Sequence, residues 1–213
     1  MRETLSAYVE RLKAADAAVI GYMADGANDS DMSDINGLKL SVPQDVFEFW
    51  GMMNGVKAGV ETSYDQLWLD GTFRFYSAKE AADDYKVCLP LWDDDEDFKD
   101  YWPVGFLSIG SPGDGSRLLV NCRAASPTYG HIYELFHGMG LSLHAKSLTD
   151  YFKTQIALFD AGVLTVEDDG ALDIDFDKND AIAAPLNPNC DAYNSDLTPA
   201  YDSKNWLAEG ETS

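Results

Sequence analysis

The stretch that most constrains the fold of this chain runs from residue 101 to residue 136. It contains three short apolar and β-branched runs, at 102–109, 117–122 and 130–136, and a segment of Gly, Ser, Pro and Asp at 110–115 separates the first two. Such runs, bounded by turn-forming residues, are typical of an antiparallel meander, because each strand can bury one face while the turns reverse the chain. We therefore expect this stretch to form the central sheet.

Polar residues lie among the apolar ones in these runs, namely Ser108, Arg117, Asn121 and Glu134. This mixture is expected where one face of a sheet is covered and the other face meets water or a partner. The sequence thus predicts a sheet with an open face that can serve as a binding platform.

Acidic residues strongly outnumber basic ones in the 213-residue chain. Aspartate and glutamate number 37 against 15 lysines and arginines, which gives a formal net charge of −22, while 46% hydrophobic residues are enough to build a core. Such a surface repels nucleic acid phosphates and anionic membranes, so we expect direct binding to neither. A basic protein domain is the expected partner, because it would be attracted to this charge.

The three cysteines, Cys88, Cys122 and Cys190, are widely spaced. They give neither a disulfide framework nor a pair of metal ligands, and reduced thiols are ordinary inside cells. The N-terminus passes directly into an amphipathic pattern, and no run approaches the roughly 18 apolar residues of a membrane span. We therefore expect a cytoplasmic protein.

Outside the central stretch, apolar residues recur at helical spacing in several segments. They predict helices at 4–24, 42–53, 78–87 and 147–161, with a polar loop at 25–37. Ser77 with Glu80 is expected to form a capping box, and Ser147 is expected to be an N-cap. Runs at 60–69 and 72–76, joined by Asp70-Gly71, predict a hairpin.

A second hairpin is predicted near the C-terminal end, with strands at 163–166 and 172–176. In its second strand, apolar residues alternate with Asp173, Asp175 and Asp177. Because successive side chains of a strand point to opposite faces, we expect these three carboxylates to form an acidic stripe on one face.

Another acidic segment, with aromatic residues at both ends, lies at 91–102. The residues that we expect to contact a partner here are Trp92, Asp93, Asp94, Asp95, Glu96, Asp97 and Tyr101. A run of like charge is usually a solvated surface segment, and this is the alternative. As a docking surface, the acids would speed association with a basic protein and the aromatic residues would anchor it. The stripe at 173–177 completes the expected partner-binding set.

No motif that would assemble a reactive site is complete. Gly110 and Gly115 have the spacing of a phosphate-binding loop, but the lysine that must follow is missing. His131, His137 and His144 fit neither one helical face nor a zinc-ligand pattern. A pair of carboxylates would suit a glycosidase, yet so many acids are present that no pair is distinguished. We therefore expect no catalytic residue, no metal ligand, no cofactor and no enzymatic activity.

Several short motifs follow one another in a definite order. They are Val-Pro at 42–43 opening a helix that closes at Asn54-Gly55, Trp-Pro-Val-Gly at 102–105 leading to Gly-Asp-Gly at 113–115, Gly-His-Ile-Tyr at 130–133, a helix from Ser147-Leu148 to Phe159, and Leu-Asn-Pro at 186–188. This order resembles the SUKH superfamily of Syd-like and yeast cell-wall-assembly-regulator-like domains, and more narrowly its bacterial immunity-protein branch. The chain departs from the family pattern in having Val instead of Leu before the first proline, and in having Trp102 adjacent to Pro103.

The resemblance implies an α+β fold with a mostly antiparallel sheet and helices packed on one side. We expect one such domain at 1–190, including the acidic hairpin at about 163–177, and a C-terminal tail at 191–213. The resemblance also implies a non-catalytic protein that binds and neutralises a polymorphic or contact-dependent toxin domain, often a nuclease. The alternative is a regulatory scaffold that binds a host signalling or cell-wall protein.

Overall fold

The computed structural model describes residues 1–94, 102–136, 140–194 and 196–197. Within these ranges five strands form one antiparallel sheet in the order β1-β2-β3-β4-β5. The strands are β1 (Arg74–Phe75), β2 (Phe106–Ser111), β3 (Arg117–Asn121), β4 (Ile132–Phe136) and β5 (Gly140–Ala145). The predicted α+β class and antiparallel sheet are confirmed, and β3 and β4 lie in two of the runs predicted for the meander, whereas β2 begins in the first run and extends to Ser111 in the predicted turn segment.

Strands β2, β3 and β4 are buried on both faces. All six residues of β2 are buried, as are four of the five residues in β3 and in β4. Two of their polar side chains have partners inside the protein: Asn121 Nδ2 donates to the carbonyl of Thr128 at 3.1 Å, and Glu134 lies 2.9 Å from His144. The prediction of an open sheet face is therefore wrong, because polar groups in a strand can be buried when they are hydrogen-bonded.

Seven α-helices and two short 3-10 helices accompany the sheets in the described part of the chain. The α-helices are α1 (Arg2–Ala14), α2 (Val19–Tyr22), α3 (Asp29–Asn36), α4 (Gln44–Trp50), α5 (Ala78–Asp94), α6 (Leu148–Asp160) and α7 (Phe176–Leu186). The 3-10 helices are Asp65–Leu67 and Asp191–Tyr193. None of the helices in these ranges is both long and apolar enough to span a membrane.

Several helices differ from the sequence predictions, and the helix predicted at 42–53 is shortened to α4. The helix predicted at 4–24 is divided, because Asp16 adopts a left-handed φ of 58° between α1 and α2. The loop predicted at 25–37 contains α3, which begins with a capping box between Asn28 and Asp31. Helix α5 continues through Pro90 to Asp94 instead of ending near residue 87.

Two strand predictions also need correction. No strand forms at 60–69, where the chain instead makes the 3-10 helix Asp65–Leu67. The turn that follows is held by Asp70, whose Oδ1 accepts hydrogen bonds from the backbone N–H groups of Thr72 at 2.9 Å and Phe73 at 2.7 Å. Strand β5, in contrast, has no counterpart among the predicted strands.

The predicted caps at Ser77 and Ser147 are confirmed. The backbone N–H of Ser77 donates to Glu80 Oε2 at 2.8 Å, and the backbone N–H of Glu80 donates to Ser77 Oγ at 3.1 Å. At the start of α6, the backbone N–H of Asp150 donates to Ser147 Oγ at 3.0 Å. Each cap satisfies a backbone donor that would otherwise be unpaired, an effect worth about 1 kcal/mol.

Aromatic side chains from three elements form the centre of the core. Phe49 packs on Phe75 and stacks on Phe152, with ring centroids 5.1 Å and 5.8 Å apart. Trp50 is fully buried, and its indole N–H donates to the carbonyl of Tyr76 at 3.0 Å. The aromatic stripe of α4 thus joins β1 to α6.

The predicted C-terminal hairpin is present as β6 (Leu164–Val166) and β7 (Leu172–Ile174), which pair antiparallel. The backbone N–H of Ala18 donates to the carbonyl of Gly170 in its turn at 2.9 Å, which ties the hairpin to the connection between α1 and α2.

The first residues of the predicted C-terminal tail are part of the folded structure. The backbone N–H of Leu143 donates to Asp191 Oδ1 at 2.8 Å, and Tyr193 is buried. The 3-10 helix that contains both residues therefore lies against β5.

Candidate functional site

A shallow groove lies between the β6–β7 hairpin and the 3-10 helix Asp65–Leu67, and its volume is about 470 Å³. It is lined by Asp65, Trp68, Glu167, Asp168, Asp169, Ala171, Leu172 and Asp173. Five of these eight residues carry carboxylates, so we name this feature the acidic groove. It gathers negative charge around one aromatic side chain, the combination that the sequence predicts for a partner-binding surface.

Local hydrogen bonds hold the two sides of the acidic groove together. Gln66 Nε2 donates to the carbonyl of Asp169 at 3.0 Å, which links the 3-10 helix to the hairpin turn. Within the turn, the backbone N–H of Ala171 donates to Asp169 Oδ1 at 3.0 Å. The carboxylates of Asp168 and Asp173 remain exposed beside this turn.

Trp68 and Asp65 define the chemistry at one side of the acidic groove. The indole N–H of Trp68 is buried and meets no hydrogen-bond acceptor among the described residues. A hydrogen bond from the Ser63 hydroxyl lowers the pKa of Asp65, so this carboxyl is ionised at neutral pH. The groove therefore offers negative charge to basic side chains and a half-buried indole for apolar contact.

The structure brings one of the three residues of the predicted acidic stripe into the acidic groove. Asp173 lies on β7 and lines the groove. Asp175 instead precedes α7 and pairs with Lys178, and Asp177 lies in the first turn of that helix. The predicted stripe on one strand face is therefore wrong, because the chain enters a helix at Phe176 before a longer strand can form.

The other predicted contact residues lie at the end of α5 and beyond it. Trp92, Asp93 and Asp94 are the last three residues of that helix. Asp95, Glu96, Asp97 and Tyr101 lie outside the described residues. The contact of these seven residues with a partner stays a prediction.

A second, more enclosed pocket, which we name the polar pocket, has a volume of about 350 Å³. Titratable side chains from distant parts of the chain line it, namely Asp70, Glu134, His144, Tyr151, Asp180 and Tyr193. The sequence predictions contain no such pocket. Converging titratable groups in a pocket can indicate an active site. The hydrogen bonds and ion pairs among these groups therefore show whether any of them is available for catalysis.

His144 is engaged at both ring nitrogens. Its Nε2 lies 2.9 Å from Glu134 Oε2, and its Nδ1 lies 3.1 Å from the hydroxyl of Tyr193. Since a carboxylate only accepts hydrogen bonds, Nε2 carries a proton, and in the neutral ring Nδ1 accepts from Tyr193. Neither nitrogen is left to take a proton from a nucleophile, which favours a structural role for this histidine.

Asp70 and Tyr151 form the buried wall of the polar pocket. The Tyr151 hydroxyl donates to Asp70 Oδ2 at 2.7 Å. Burial raises the pKa of Asp70 to about 6, and it also raises the pKa of Tyr151, which the neighbouring Asp70 carboxylate raises further. At neutral pH the pocket therefore contains a buried carboxylate and a protonated phenol.

The remaining lining of the polar pocket is one buried amide and an aromatic rim. Gln155 is 5% exposed, and its Oε1 has no hydrogen-bond donor among the described residues. Phe136 and Phe176 line the pocket and are 44% and 69% exposed. The pocket thus combines acceptors inside with apolar surface at its mouth.

The three cysteines are buried and line neither of these features. Burial raises the pKa of Cys88 and of Cys122 to about 12, and that of Cys190 to about 11. Their thiols are therefore protonated at neutral pH and poor nucleophiles.

The antiparallel meander and the packed helices, with the acidic groove and the polar pocket beside them, define an α+β domain. Residues 35–154, more than half of the chain, match the model of the SMI1 / KNR4 family (SUKH-1), and the chain belongs to this family. The resemblance to the SUKH superfamily is thereby confirmed. No curated protein matches the chain.

Both candidate sites extend beyond the residues that match the family. The match ends within α6, whereas β6, β7 and α7 follow it in the chain. The acidic groove and the polar pocket are thus each formed jointly by matched residues and by residues C-terminal to them.

Proposed function

We propose that this protein is a cytoplasmic immunity protein that binds and neutralises a cationic bacterial toxin domain, a nuclease being the best fit. The observation that carries the proposal is the acidic groove, where five carboxylates surround Trp68 in a SUKH-family protein of net charge −22. A dense group of carboxylates around an aromatic residue suits a basic protein surface better than a nucleic acid or a membrane.

Electrostatic mimicry would provide the mechanism. A nuclease presents basic side chains to phosphate groups, and the carboxylates of the acidic groove would occupy the same basic side chains. Long-range attraction would speed the encounter, and contact with Trp68 would slow dissociation. The predicted contacts at Trp92, Tyr101 and the acids between them would supply further negative charge and aromatic anchors for the same partner.

The pairing inside the polar pocket supports a role in binding and not in catalysis. Both ring nitrogens of His144 have partners, and the described thiols are protonated at neutral pH. These groups therefore supply no activated nucleophile with a free base beside it.

The test is whether this protein captures and neutralises the product of the gene adjacent to its own, which the proposal predicts to be a basic toxin domain. The triple variant Asp168→Asn, Asp169→Asn, Asp173→Asn removes three charges from the acidic groove. It should weaken binding by about tenfold and reduce the dependence of the affinity on salt, because each lost charge pair contributes up to about 1 kcal/mol. Binding is measured by calorimetry at two salt concentrations, and neutralisation by growth of cells that express the toxin.

The matched control is Glu3→Gln, Asp29→Asn, Glu61→Gln, which removes the same charge from three exposed positions outside the groove. It should weaken binding by less than the groove variant. Equal losses for the two triple variants would contradict the groove as the binding surface. If the protein binds a host signalling or cell-wall protein and protects cells from no toxin, the result would support the regulatory scaffold and contradict the immunity function.

A further inference from the structure

The polar pocket presents an excess of hydrogen-bond acceptors. Asp70, Glu134 and Asp180 contribute carboxylates from three different elements, and Gln155 contributes an amide. A ligand that satisfies such a lining must bring several donors and a positive charge.

Gln155 supplies an independent sign that the polar pocket receives a ligand. Gln155 lines the pocket, and only 5% of this residue is exposed to solvent. Its Oε1 nevertheless receives no hydrogen bond from the described residues. A buried acceptor without a donor costs about 1–3 kcal/mol, and a ligand N–H would recover that free energy.

Asp70 is also incompletely compensated. It is 1% exposed, and its hydrogen bonds come from the backbone of Thr72 and Phe73 and from the Tyr151 hydroxyl. Within the described residues no cationic side chain forms an ion pair with it. Buried carboxylates are normally paired with a cation, so an incoming positive group would complete this site.

The shape of the polar pocket distinguishes between cations. Its volume of about 350 Å³ is at the lower end for ligand pockets. Aromatic rings of Phe136, Phe176 and Tyr151 line it, and its acceptors approach from several directions. A guanidinium suits this lining better than an ammonium, because it is planar, stacks on aromatic rings and carries five N–H donors in a fixed arrangement.

We propose that the polar pocket receives the guanidinium group of an arginine side chain from the basic partner protein. Phe136 and Phe176 are exposed at the mouth of the pocket. Aromatic residues and arginine are both enriched in protein interfaces, so these two rings favour a protein as the source of the guanidinium over a free metabolite. This assignment rests on the proposed function, since it deepens the description of how the partner is held.

The experiment titrates the full-length protein with N-acetyl-L-arginine methylamide, a blocked arginine, and follows binding by NMR. N-acetyl-L-citrulline methylamide is the matched neutral probe, with nearly the same shape and no charge. The blocked arginine should bind saturably and perturb the signals of residues in the polar pocket. The citrulline probe should bind at least about tenfold more weakly, because it lacks the charge that Asp70 and Asp180 recognise.

Two variants locate the binding. Asp180→Asn removes an exposed carboxylate at the polar pocket, and Asp173→Asn makes the same charge change in the acidic groove. The first should weaken binding of the blocked arginine by about fivefold, whereas the second should change it less than about twofold. Gln155→Leu removes the unpaired acceptor at similar volume and should also weaken binding. If that buried variant fails to fold, Asp180→Asn decides alone.

Three results would overturn the proposal. They are an absence of saturable binding, equal binding of the arginine and citrulline probes, and an equal effect of the two aspartate substitutions. Binding of free L-arginine without binding of the blocked form would assign the pocket to a small molecule instead of a protein side chain. Toxin capture is measured separately with the acidic-groove variant, so a failed arginine titration leaves the result for the proposed function intact.

Discussion

Asp70 is a carboxyl group whose environment alters its acidity. It is 1% exposed, and burial raises its pKa from 3.8 to about 6, because loss of solvent disfavours the charged form. The folded protein therefore holds the Asp70 proton more tightly than the unfolded chain does. Protonation of Asp70 therefore stabilises the folded state. This stabilisation is greatest below pH 3.8 and is lost as the pH rises to about 6.

Asp70→Asn should remove this pH dependence, since asparagine keeps the Oδ1 acceptor for the backbone of residues 72 and 73. At each pH, the free energy of unfolding of the unchanged protein is subtracted from that of the variant. This difference should increase by about 1 kcal/mol from about pH 5 to about pH 7.5, because only the unchanged protein loses the stabilisation. Urea denaturation measures the difference at both pH values, which lie above the isoelectric point of about 4.1 expected from the composition. Asp173→Asn is the exposed control, and the same pH response in both variants would contradict the assignment.

Sequence reasoning reached only part of the candidate sites at the residue level. Asp173 is among the residues predicted to contact a partner, and it lies in the acidic groove. The polar pocket was not predicted, because Asp70, Glu134, His144 and Tyr193 are brought together only by the fold, and periodicity reports on windows of about 11–18 residues. A usable signal existed in the alternation of apolar and polar residues at 141–145, which marks β5 and places His144 on a strand.

At the scale of elements, strong periodicity and good caps gave reliable predictions. Helix α6 begins at its predicted cap, α4 lies inside the helix predicted at 42–53 but has no side-chain cap, and the meander and the C-terminal hairpin form around their predicted runs. Helix α3 was missed because Ile35 is its single buried residue, so no apolar stripe was visible, although Asn28 and Asp31 carried a capping-box signal. The 60–69 prediction failed because local turn chemistry around Asp65 overrode β-propensity.

The docking of the C-terminal hairpin can be tested at its turn. Gly170 has a φ of +84°, and an added Cβ would lie 2.8 Å from the Cβ of Ala18. Gly170→Ala therefore adds a clash to the unfavourable left-handed conformation. Gly162→Ala is the control, because Gly162 has a φ of +67° and an added Cβ meets none of the described atoms within 4 Å.

Gly162→Ala should lower the free energy of unfolding by about 1 kcal/mol, the cost of the left-handed conformation alone. Gly170→Ala should lower it by about 1–3 kcal/mol more, since overpacking adds to that cost. Thermal and urea denaturation compare the two variants. Equal losses would mean that the hairpin turn is not packed tightly on Ala18.

At the scale of the whole molecule, charge has two separable effects on a basic partner. The net charge of −22 attracts such a partner from every direction, whereas a local acidic surface orients it. Salt screens both effects over about 8–10 Å. The two effects are therefore separated by comparing variants that lose the same number of charges at different positions.

The acidic segment at 91–102 allows this comparison. Asp93→Asn, Asp94→Asn, Asp95→Asn should slow association with the basic toxin domain by about tenfold at low salt and reduce its salt dependence, if this segment steers the encounter. Stopped-flow association rates at several salt concentrations measure the effect. The control variant at residues 3, 29 and 61 loses the same charge and should slow association less, because its positions would not face the partner. Similar rates for the two variants would assign the steering to net charge and would leave the segment as a solvated surface.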